Sequence, residues 1–147
     1  EMTCLNFLED ITKEKGGIPF PNKVSFISQN WKKYPALIQD STLVTKIIDI
    51  EKTINGRAYY YIPKEKVLPF AGQIKTGDII LITTKKKGLD TAHVGIAIEN
   101  EGQIYLLHAS VSDKKVSITT ETLPDYLQRI TSHSGIMIGR LINFKSN

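Results

Sequence analysis

Alternation of apolar and polar positions is clearest in two runs that flank a short polar stretch near the middle of the chain. β-Branched residues occupy every second position of Val94–Ile98, which predicts a strand with two different faces. In the second run Ile104, Leu106 and His108 share one face. The stretch 99–102 between the runs is polar and ends in glycine, so the pattern predicts a β-hairpin.

The hairpin would bring two histidines together. If its loop is symmetric and has two or four residues, His93 lies directly opposite His108. Side chains opposed in this way have Cβ atoms roughly 4.5–5.5 Å apart, so the two imidazoles could share a hydrogen bond. A three-residue loop would instead place them on opposite faces.

The start of the chain has a helical pattern. Thr3 can cap a helix from Cys4 to Lys15, on which Cys4, Leu8 and Ile11 share one face. A glycine pair ends that helix, and a second helix is plausible over 22–34.

The remaining pattern is mainly that of strands. The β-branched stretch 42–54 precedes Asn55-Gly56, which predicts a hairpin with its return strand at 57–62. Residues 63–77 form a connection without a clear period. Further strands are predicted at 78–84, 116–119 and 135–142, and a helix capped by Thr122 with Pro124 in its first turn. An initial helix followed by five to seven mostly antiparallel strands indicates an α+β fold, and residues 1–147 form a single domain.

Composition and charge narrow the function classes. The 147 residues have an ordinary globular balance of apolar and charged residues, with no apolar run of membrane-spanning length. The net charge of +4 favours acidic partners in general, and the run Lys85–Lys87 is the densest basic patch. No nucleic-acid-binding motif is present, so we expect no nucleic-acid partner. Contact with an anionic polymer such as a cell wall stays open.

Cys4 is the only cysteine, and a lone thiol is a candidate nucleophile. Unpaired N–H groups in the first turn of a helix would favour its thiolate and stabilise an oxyanion. His93 would then act as general base and later protonate the leaving amine, and His108 would orient His93. A buried structural cysteine and two hydrogen-bonded strand histidines are the plainer alternative.

Other residues near the histidines have less specific signals. We predict Asp90, Thr91 and Ser110 as substrate contacts, although each could instead shape a strand end. His133 lies in a Ser- and Gly-containing segment typical of a loop, so we expect it to be exposed. Cys4 with two histidines could also bind zinc, but the spacing matches no zinc motif, and we expect neither a metal nor another cofactor.

Several separate motifs resemble one family of bacterial hydrolases. From residue 61 to 141 the resemblance is carried, in order, by "YIPKEKV", "KTGDIILITTKKKGLDTAHVGIAI", "IYLLHAS", "TLPDYL" and "GIMIGRL". The segment "TCLNFLED" is similar to the family's nucleophile segment. The chain thereby resembles the N-acetylmuramoyl-L-alanine amidase-like family, long known only as a domain of unknown function within the NlpC-type cysteine hydrolases.

The resemblance implies a fold, a chemistry and a location. It implies a papain-like α+β fold in which a helix bearing the nucleophile Cys4 packs on an antiparallel sheet bearing the base His93 and the third member His108. It implies action on peptidoglycan fragments, as an N-acetylmuramoyl-L-alanine amidase. We expect a monomer acting in the periplasm or outside the cell, with no signal peptide in this sequence.

The sequence departs from the family pattern in two places, so alternatives stay open. The family has a substantial segment before its cysteine, whereas this sequence has three residues there, and the stretch after the first predicted helix is divergent. Both regions would help to form the substrate cleft. Cleavage of the D-glutamyl–diamino acid bond, non-catalytic binding of peptidoglycan, and thiol chemistry on a different amide are therefore the alternatives.

Overall fold

The fold was analysed in a computed structural model that describes residues 7–21, 23–112 and 114–142. This part of the chain contains eight strands and five α-helices. Strands are β1 (Leu8–Asp10), β2 (Ile18–Pro19), β3 (Tyr60–Pro63), β4 (Ile79–Thr84), β5 (Thr91–Asn100), β6 (Gln103–Ser110), β7 (Lys115–Ile118) and β8 (His133–Leu141). Helices are α1 (Phe26–Gln29), α2 (Pro35–Gln39), α3 (Thr42–Asn55), α4 (Lys64–Phe70) and α5 (Leu123–Arg129), with 3-10 turns at Trp31–Lys33 and Ala71–Gln73.

The strands form one antiparallel sheet in the order β2-β3-β8-β4-β5-β6-β7, and β1 also pairs with β8. This confirms the α+β class with a mainly antiparallel sheet. β4, β5 and β6 follow one another in sequence and in space, whereas β8 returns from the end of the chain to lie beside β4. The predicted strands at 78–84, 116–119 and 135–142 are all present within a residue or two.

The hydrophobic core lies between one face of the sheet and helices α4 and α5. Ile80, Ile82, Leu106 and Ile136 are fully buried on that face, since alternate residues of a strand point to the same side. Helix α5 begins as predicted, with Thr122 Oγ1 accepting a hydrogen bond from the Asp125 amide. The core therefore ends beside the strand positions that carry the histidines.

The predicted helix from Cys4 to Lys15 is wrong over its described part. Residues Leu8–Asp10 form a strand, in which Leu8 lies opposite Leu141 of β8. The Asp10 carboxylate then accepts a bond from the Thr12 amide, and a turn follows. Pairing with β8 buries Ile11 without a helix, so tertiary contacts outweigh the local pattern. Cys4 itself lies outside the described residues.

The predicted hairpin at residues 42–62 is also wrong in its first half. Residues Thr42–Asn55 form helix α3, and only Tyr60–Pro63 of the return segment is a strand. Asn55 contacts the segment before α1 instead of opening a hairpin turn, because its side-chain amide accepts a hydrogen bond from the N–H of Val24 and donates one to the C=O of Val24. The β-branched residues of α3 follow a helical period, with Val44, Ile47 and Glu51 directed inward.

Two further expectations are corrected by the helices. The predicted connection 63–77 contains α4 and a 3-10 turn, and the plausible helix at 22–34 is the short α1 followed by another 3-10 turn. Within the part of the chain that the structure describes, no helix is long and apolar enough to cross a membrane.

Candidate active site

His93 of β5 and His108 of β6 form a hydrogen-bonded pair. His93 Nε2 lies 2.7 Å from His108 Nδ1, and the two rings are perpendicular with centroids 4.9 Å apart. Both side chains lie on the core face of the sheet, at the end where the apolar core gives way to a cleft. The predicted proximity of the two imidazoles is confirmed.

The sequence pattern predicted that His93 and His108 lie directly opposite each other, but in the structure they do not. The turn of the hairpin is Glu101–Gly102, so Asn100 pairs with Gln103 and Ile96 pairs with Leu107. This register is offset by two residues from the predicted one, but the even loop length keeps both histidines on one face. The β5–β6 ladder ends at Ile96 and Leu107, one position before His108 on β6 and three positions before His93 on β5.

Beyond that pair the two strands have different neighbours. His93 pairs with Ile82 of β4, whereas His108 pairs with Ser117 of β7. The hydrogen bond between the imidazoles therefore joins β5 and β6 beyond the last backbone pair of their ladder. Near that last pair Gly95 lies so close to β6 that an added Cβ would meet Leu106 Cγ at 2.6 Å.

A bulge in β5 decides which of its side chains enter the cleft. Ile82 pairs with His93 and the next residue, Thr83, pairs with Thr91, so Ala92 is an extra residue on β5. As a result Ala92 and His93 both line the cleft. Thr91 is turned away from it and lines a cavity of about 640 Å³ on the opposite face of the sheet, together with Asp90.

Of the three predicted substrate contacts, only Ser110 is brought to the cleft. It is almost fully buried, and its hydroxyl lies 3.0 Å from that of Ser112, which also lines the cleft. Asp90 accepts a hydrogen bond from the Thr91 amide, which is the strand-shaping role that the sequence offered as the alternative. The cleft has a volume of about 670 Å³.

His133 joins the site, although the sequence predicted an exposed loop residue. It begins β8, is only 5% exposed, and lines the same cleft as His93. Thr83 pairs with Gly135 and Thr84 with His133, so Ser134 is an extra residue that turns His133 toward α5. Sequence reasoning missed His133 because nothing in the Ser-His-Ser-Gly segment reveals a bulge.

Tyr126 of α5 connects the histidines. Its ring packs against His108 with centroids 5.6 Å apart and against His133 with centroids 5.7 Å apart. Burial raises the pKa of the Tyr126 phenol, so it stays neutral in the physiological range. The His108 ring therefore contacts both His93 and Tyr126.

Burial lowers the pKa of two histidines of the site, His93 and His133. Burial, followed by repulsion from His108, lowers the pKa of His93 below its usual value. Burial also lowers the pKa of His133 to about 4, with repulsion from His93 the next cause. The Nδ1 atom of His133 is buried without a hydrogen-bond partner. A neutral His93 is able to accept a proton, which a general base must do.

The charges around the cleft restrict the chemistry it can support. Glu121 is the carboxylate among the described cleft residues, and Arg129 binds it at 2.6 Å. A glycosidase needs two carboxyl groups flanking the bond, and these residues do not offer such a pair. Among residues 7–21, 23–112 and 114–142 no three potential ligands are arranged to hold a metal ion.

Comparison with known proteins identifies the family. The model of the N-acetylmuramoyl-L-alanine amidase-like family matches residues 1–136, so the chain belongs to this family. No curated protein matches the chain.

Solved structures agree with this assignment. An N-acetylmuramoyl-L-alanine amidase from Bacteroides uniformis ATCC 8492 is 34% identical, with a TM-score of 0.87 over 97% of this chain and 60% of that one. A protein from Bacteroides fragilis, described as a candidate xylanase, is 34% identical with a TM-score of 0.86, over 95% and 61% of the two chains. A protein from Legionella pneumophila shares the fold at 20% identity and a TM-score of 0.66, over 97% and 58%. The chain thus spans about 60% of the length of the solved structures it matches.

Proposed function

We propose that this protein is a cysteine-dependent N-acetylmuramoyl-L-alanine amidase, with Cys4 as nucleophile, His93 as general base and acid, and His108 as the residue that orients His93. The observation that carries the proposal is the 2.7 Å hydrogen bond between the two imidazoles at the cleft. The choice of substrate is supported by membership of the amidase-like family and by the name of a solved structure that is 34% identical over 97% of this chain.

The hydrogen bond specifies a tautomer for each ring. We assign the proton to His93 Nε2, which donates to His108 Nδ1. Nδ1 of neutral His93 then carries the lone pair that can accept the thiol proton of Cys4. The resulting imidazolium keeps its hydrogen bond to His108, and a hydrogen bond to a charged group is stronger than one between neutral groups.

The reaction follows from these roles. The Cys4 thiolate attacks the carbonyl carbon of the lactyl group, and His93 Nδ1–H protonates the nitrogen of L-alanine as the C–N bond breaks. This step leaves a thioester on Cys4 and a free peptide. Water then attacks the thioester while His93 accepts its proton, which releases the muramic acid carboxylate and restores the thiol. General acid–base catalysis of this kind contributes on the order of 10²–10⁴-fold to the rate.

The lowered pKa of His93 suits the acid step of this cycle, in which the C–N bond breaks. An imidazolium whose pKa is reduced by burial gives up its proton readily, and the leaving amine needs that proton. A thiolate beside His93 opposes this shift, since an opposite charge favours the imidazolium. His93 can therefore be protonated when it pairs with the thiolate and neutral when water attacks.

The proposal includes an NlpC-like arrangement of the triad and a location outside the cytoplasm. The arrangement is supported by the antiparallel sheet, in which neighbouring strands carry the two histidines. Peptidoglycan lies outside the cytoplasmic membrane, so an enzyme of this family acting on the intact wall or its fragments would meet its substrate there. We propose muropeptides as the partner and retain the expectation of a monomer.

The test is hydrolysis of a defined muropeptide that contains both candidate bonds, followed by mass spectrometry. The sugar carries L-alanine, D-glutamate and a diamino acid, so the two possible cleavages give products of different mass. We expect release of the intact peptide beginning with L-alanine, and no release by the Cys4→Ala variant. Cleavage after D-glutamate would show an endopeptidase instead. Binding without turnover by the unaltered protein would show a non-catalytic module, and both results contradict the proposal.

A further inference from the structure

Two segments of the sequence are basic and lack acidic residues. Residues 15–39 contain four lysines, residues 79–89 contain three, and neither segment contains Asp or Glu. The seven lysines exceed the net charge of +4 for the whole chain, so the rest of the chain is net negative. Such an asymmetry is informative if the fold brings the two segments together.

The fold joins the segments through the backbone of Gly88. Its carbonyl accepts hydrogen bonds from the amides of Ser25 and Phe26, at 2.9 and 2.8 Å. Gly88 has φ +80°, and an added Cβ would lie 3.0 Å from Ser25 Oγ. Both its conformation and its close approach require glycine, so the contact between α1 and the lysine loop is a specific feature of this sequence.

Lysines from the two segments surround one aromatic ring. Nζ of Lys86 lies 4.0 Å from the ring centroid of Phe26, and Nζ of Lys33 lies 5.9 Å from it. Lys32 lies over Trp31 at 5.7 Å. We use the name basic patch for Lys32, Lys33, Lys85, Lys86 and Lys87, all of which are exposed.

The loop that carries three of these lysines is held in place by its backbone. The Lys85 amide donates to the Ser132 carbonyl at 2.9 Å, and the Lys86 amide donates to Thr84 Oγ1 at 3.2 Å. With the Gly88 contacts, the loop is bonded at three successive points. Its ammonium groups are therefore presented from a fixed backbone, which lowers the entropic cost of binding a partner.

A groove adjoins the basic patch and begins one residue from the catalytic cleft. It has a volume of about 480 Å³, and Lys85 and Lys87 line it together with Phe20, Tyr61 and Ser134. Phe20 and Tyr61 pack edge to face at 5.3 Å. Aromatic rings combined with hydroxyl and ammonium groups suit a polar ligand that contains rings.

Two of the described carboxylates near the patch accept hydrogen bonds from backbone amides. Glu51 is buried beneath α1 and accepts hydrogen bonds from the amides of Ile27 and Ser28. Asp90 accepts one from the Thr91 amide. Glu65 is exposed and lines the groove opposite two lysines, so the groove keeps a net positive charge.

We propose that the basic patch and the adjoining groove bind an acidic glycan, meaning a polysaccharide with regularly spaced carboxylate or phosphate groups. The lysines supply the charge complementarity, and the aromatic groove supplies the contact with sugar rings. Single-stranded nucleic acid needs open aromatic faces for base stacking, whereas the Phe26 ring has Lys86 over it. The site would hold the protein on an anionic polymer while the cleft acts on its own substrate.

The proposal is tested by binding of fluorescent polygalacturonate and phosphomannan, which carry carboxylates and phosphates respectively, with neutral dextran as the reference polymer. We expect the protein to bind one or both acidic glycans and not dextran, with affinity falling as salt rises from about 50 to about 200 mM. The variant Lys32→Glu/Lys33→Glu/Lys86→Glu should bind about tenfold or more weakly. The variant Lys46→Glu/Lys66→Glu/Lys75→Glu makes the same change in net charge at exposed lysines elsewhere, and it should bind like the unaltered protein.

Other outcomes overturn the proposal. Equal losses in the two triple variants would show that net charge alone attracts the polymer. Tighter binding to duplex DNA or to vesicles of anionic phospholipid than to either glycan, with the same sensitivity to the patch variant, would assign a different class of partner. If a Tyr61→Leu variant unfolds at the same temperature as the unaltered protein and binds glycan equally well, the groove is not part of the binding site.

The inference does not depend on the proposed amidase activity. Binding is measured without turnover, and the patch variant should hydrolyse a soluble muropeptide at the normal rate. If the unaltered protein does not hydrolyse muropeptides, the proposed function is contradicted, but the proposal of a glycan-binding site is not.

Discussion

His93 Nε2 and His108 Nδ1 lie 2.7 Å apart across the point where β5 and β6 stop pairing. The bond fixes the orientation of both rings and leaves His93 Nδ1 as the nitrogen that can exchange a proton with a thiol. His108 is in turn packed against Tyr126, so the base is supported from behind by a second ring.

Replacement of His93 by asparagine should nearly abolish amide hydrolysis. Asparagine cannot accept the thiol proton or protonate the leaving amine, so we expect kcat to fall by about 10²–10⁴-fold. The fall should appear in kcat more than in KM, since the proton transfers belong to the chemical step. Steady-state kinetics with a muropeptide would measure it, and a loss confined to KM would indicate that His93 only contacts substrate.

Replacement of His108 should distinguish a positioning residue from a packing residue. A His108→Phe variant keeps a ring against Tyr126 but loses the acceptor for His93, and a hydrogen bond to a charged group is worth roughly 1.5–3 kcal/mol. We therefore expect kcat to fall roughly 10–100-fold. A His108→Asn variant retains an acceptor oxygen and should recover part of that loss. Equal activity of the two variants would contradict the orienting role.

Gly95 should be required for the spacing of the two strands beside the histidines. An added Cβ would meet Leu106 Cγ at 2.6 Å and the Leu107 carbonyl oxygen at 2.8 Å, so Gly95→Ala must push β5 from β6. Overpacking of this kind costs about 1–3 kcal/mol, and the displacement should also lower kcat. The control is Gly72→Ala, since Gly72 has no atom within 4 Å of the added methyl group. Equal behaviour of the two variants in thermal unfolding and hydrolysis would show that this close approach is unimportant.

Stability should depend on the protonation of His133. Burial lowers its pKa to about 4, whereas in the unfolded chain it titrates near 6.5. Between these values the unfolded chain binds a proton that the folded chain does not, so the free energy of unfolding falls as pH falls. Between these two pKa values the free energy of unfolding falls by up to about 1.4 kcal/mol per pH unit. Above about pH 6.5 His133 is neutral in both states and causes no such loss.

The variant His133→Phe isolates that contribution. Phenylalanine keeps a ring beside Tyr126 and removes a buried Nδ1 that has no hydrogen-bond partner. We expect the variant to be at least as stable as the unaltered protein at pH 7, because an unsatisfied buried polar atom is unfavourable. Urea unfolding at pH 5 and pH 7 should show a smaller difference for the variant. An unchanged difference would mean that other groups set the pH dependence.

Asp78 and Arg140 should form the most important ion pair of the described sheet. Two oxygens of Asp78 bind Arg140 Nε and Nη2 at 2.8 and 2.7 Å, and Asp78 is 3% exposed. Removing one partner of a buried pair is strongly destabilising, and since Arg140 is partly exposed we expect Asp78→Ala to cost roughly 2–4 kcal/mol. Asp49→Ala removes the exposed pair with Lys52 and should cost less than about 0.5 kcal/mol. Similar midpoints for the two variants in urea would contradict this ranking.

The sequence predicted the half of the fold in which local pattern and tertiary pairing agree. β5 and β6 follow clear apolar alternation, β4 and β8 contain short apolar runs typical of buried strands, and the cap at Thr122 is a local side-chain interaction. The histidine pair followed from these strands, because even loop length alone places His93 and His108 on one face. The two-residue offset in register did not matter to that conclusion, although it replaced direct opposition by a diagonal contact.

The remainder depended on interactions between distant segments. Leu8–Asp10 is a strand because β8, from the other end of the chain, pairs with it, as the pairing of Leu8 with Leu141 and of Glu9 with Arg140 shows. His133 enters the site through the bulge at Ser134, and Thr91 leaves it through the bulge at Ala92. A bulge changes which face a side chain occupies without any strong mark in the sequence. The predicted roles of Asp90 and Thr91 as substrate contacts stay predictions.

The pH dependence of Cys4 alkylation is the most direct test of the central claim, that the single thiol pairs with His93. Cys4 is the only cysteine, so iodoacetamide labelling followed by intact-mass measurement reports on this residue alone. The account predicts rapid labelling at pH values well below 8.5, the usual pKa of a free thiol, and a return toward that value in His93→Asn. Labelling that rises only near pH 8.5 in the unaltered protein, and is unchanged in the variant, would contradict it.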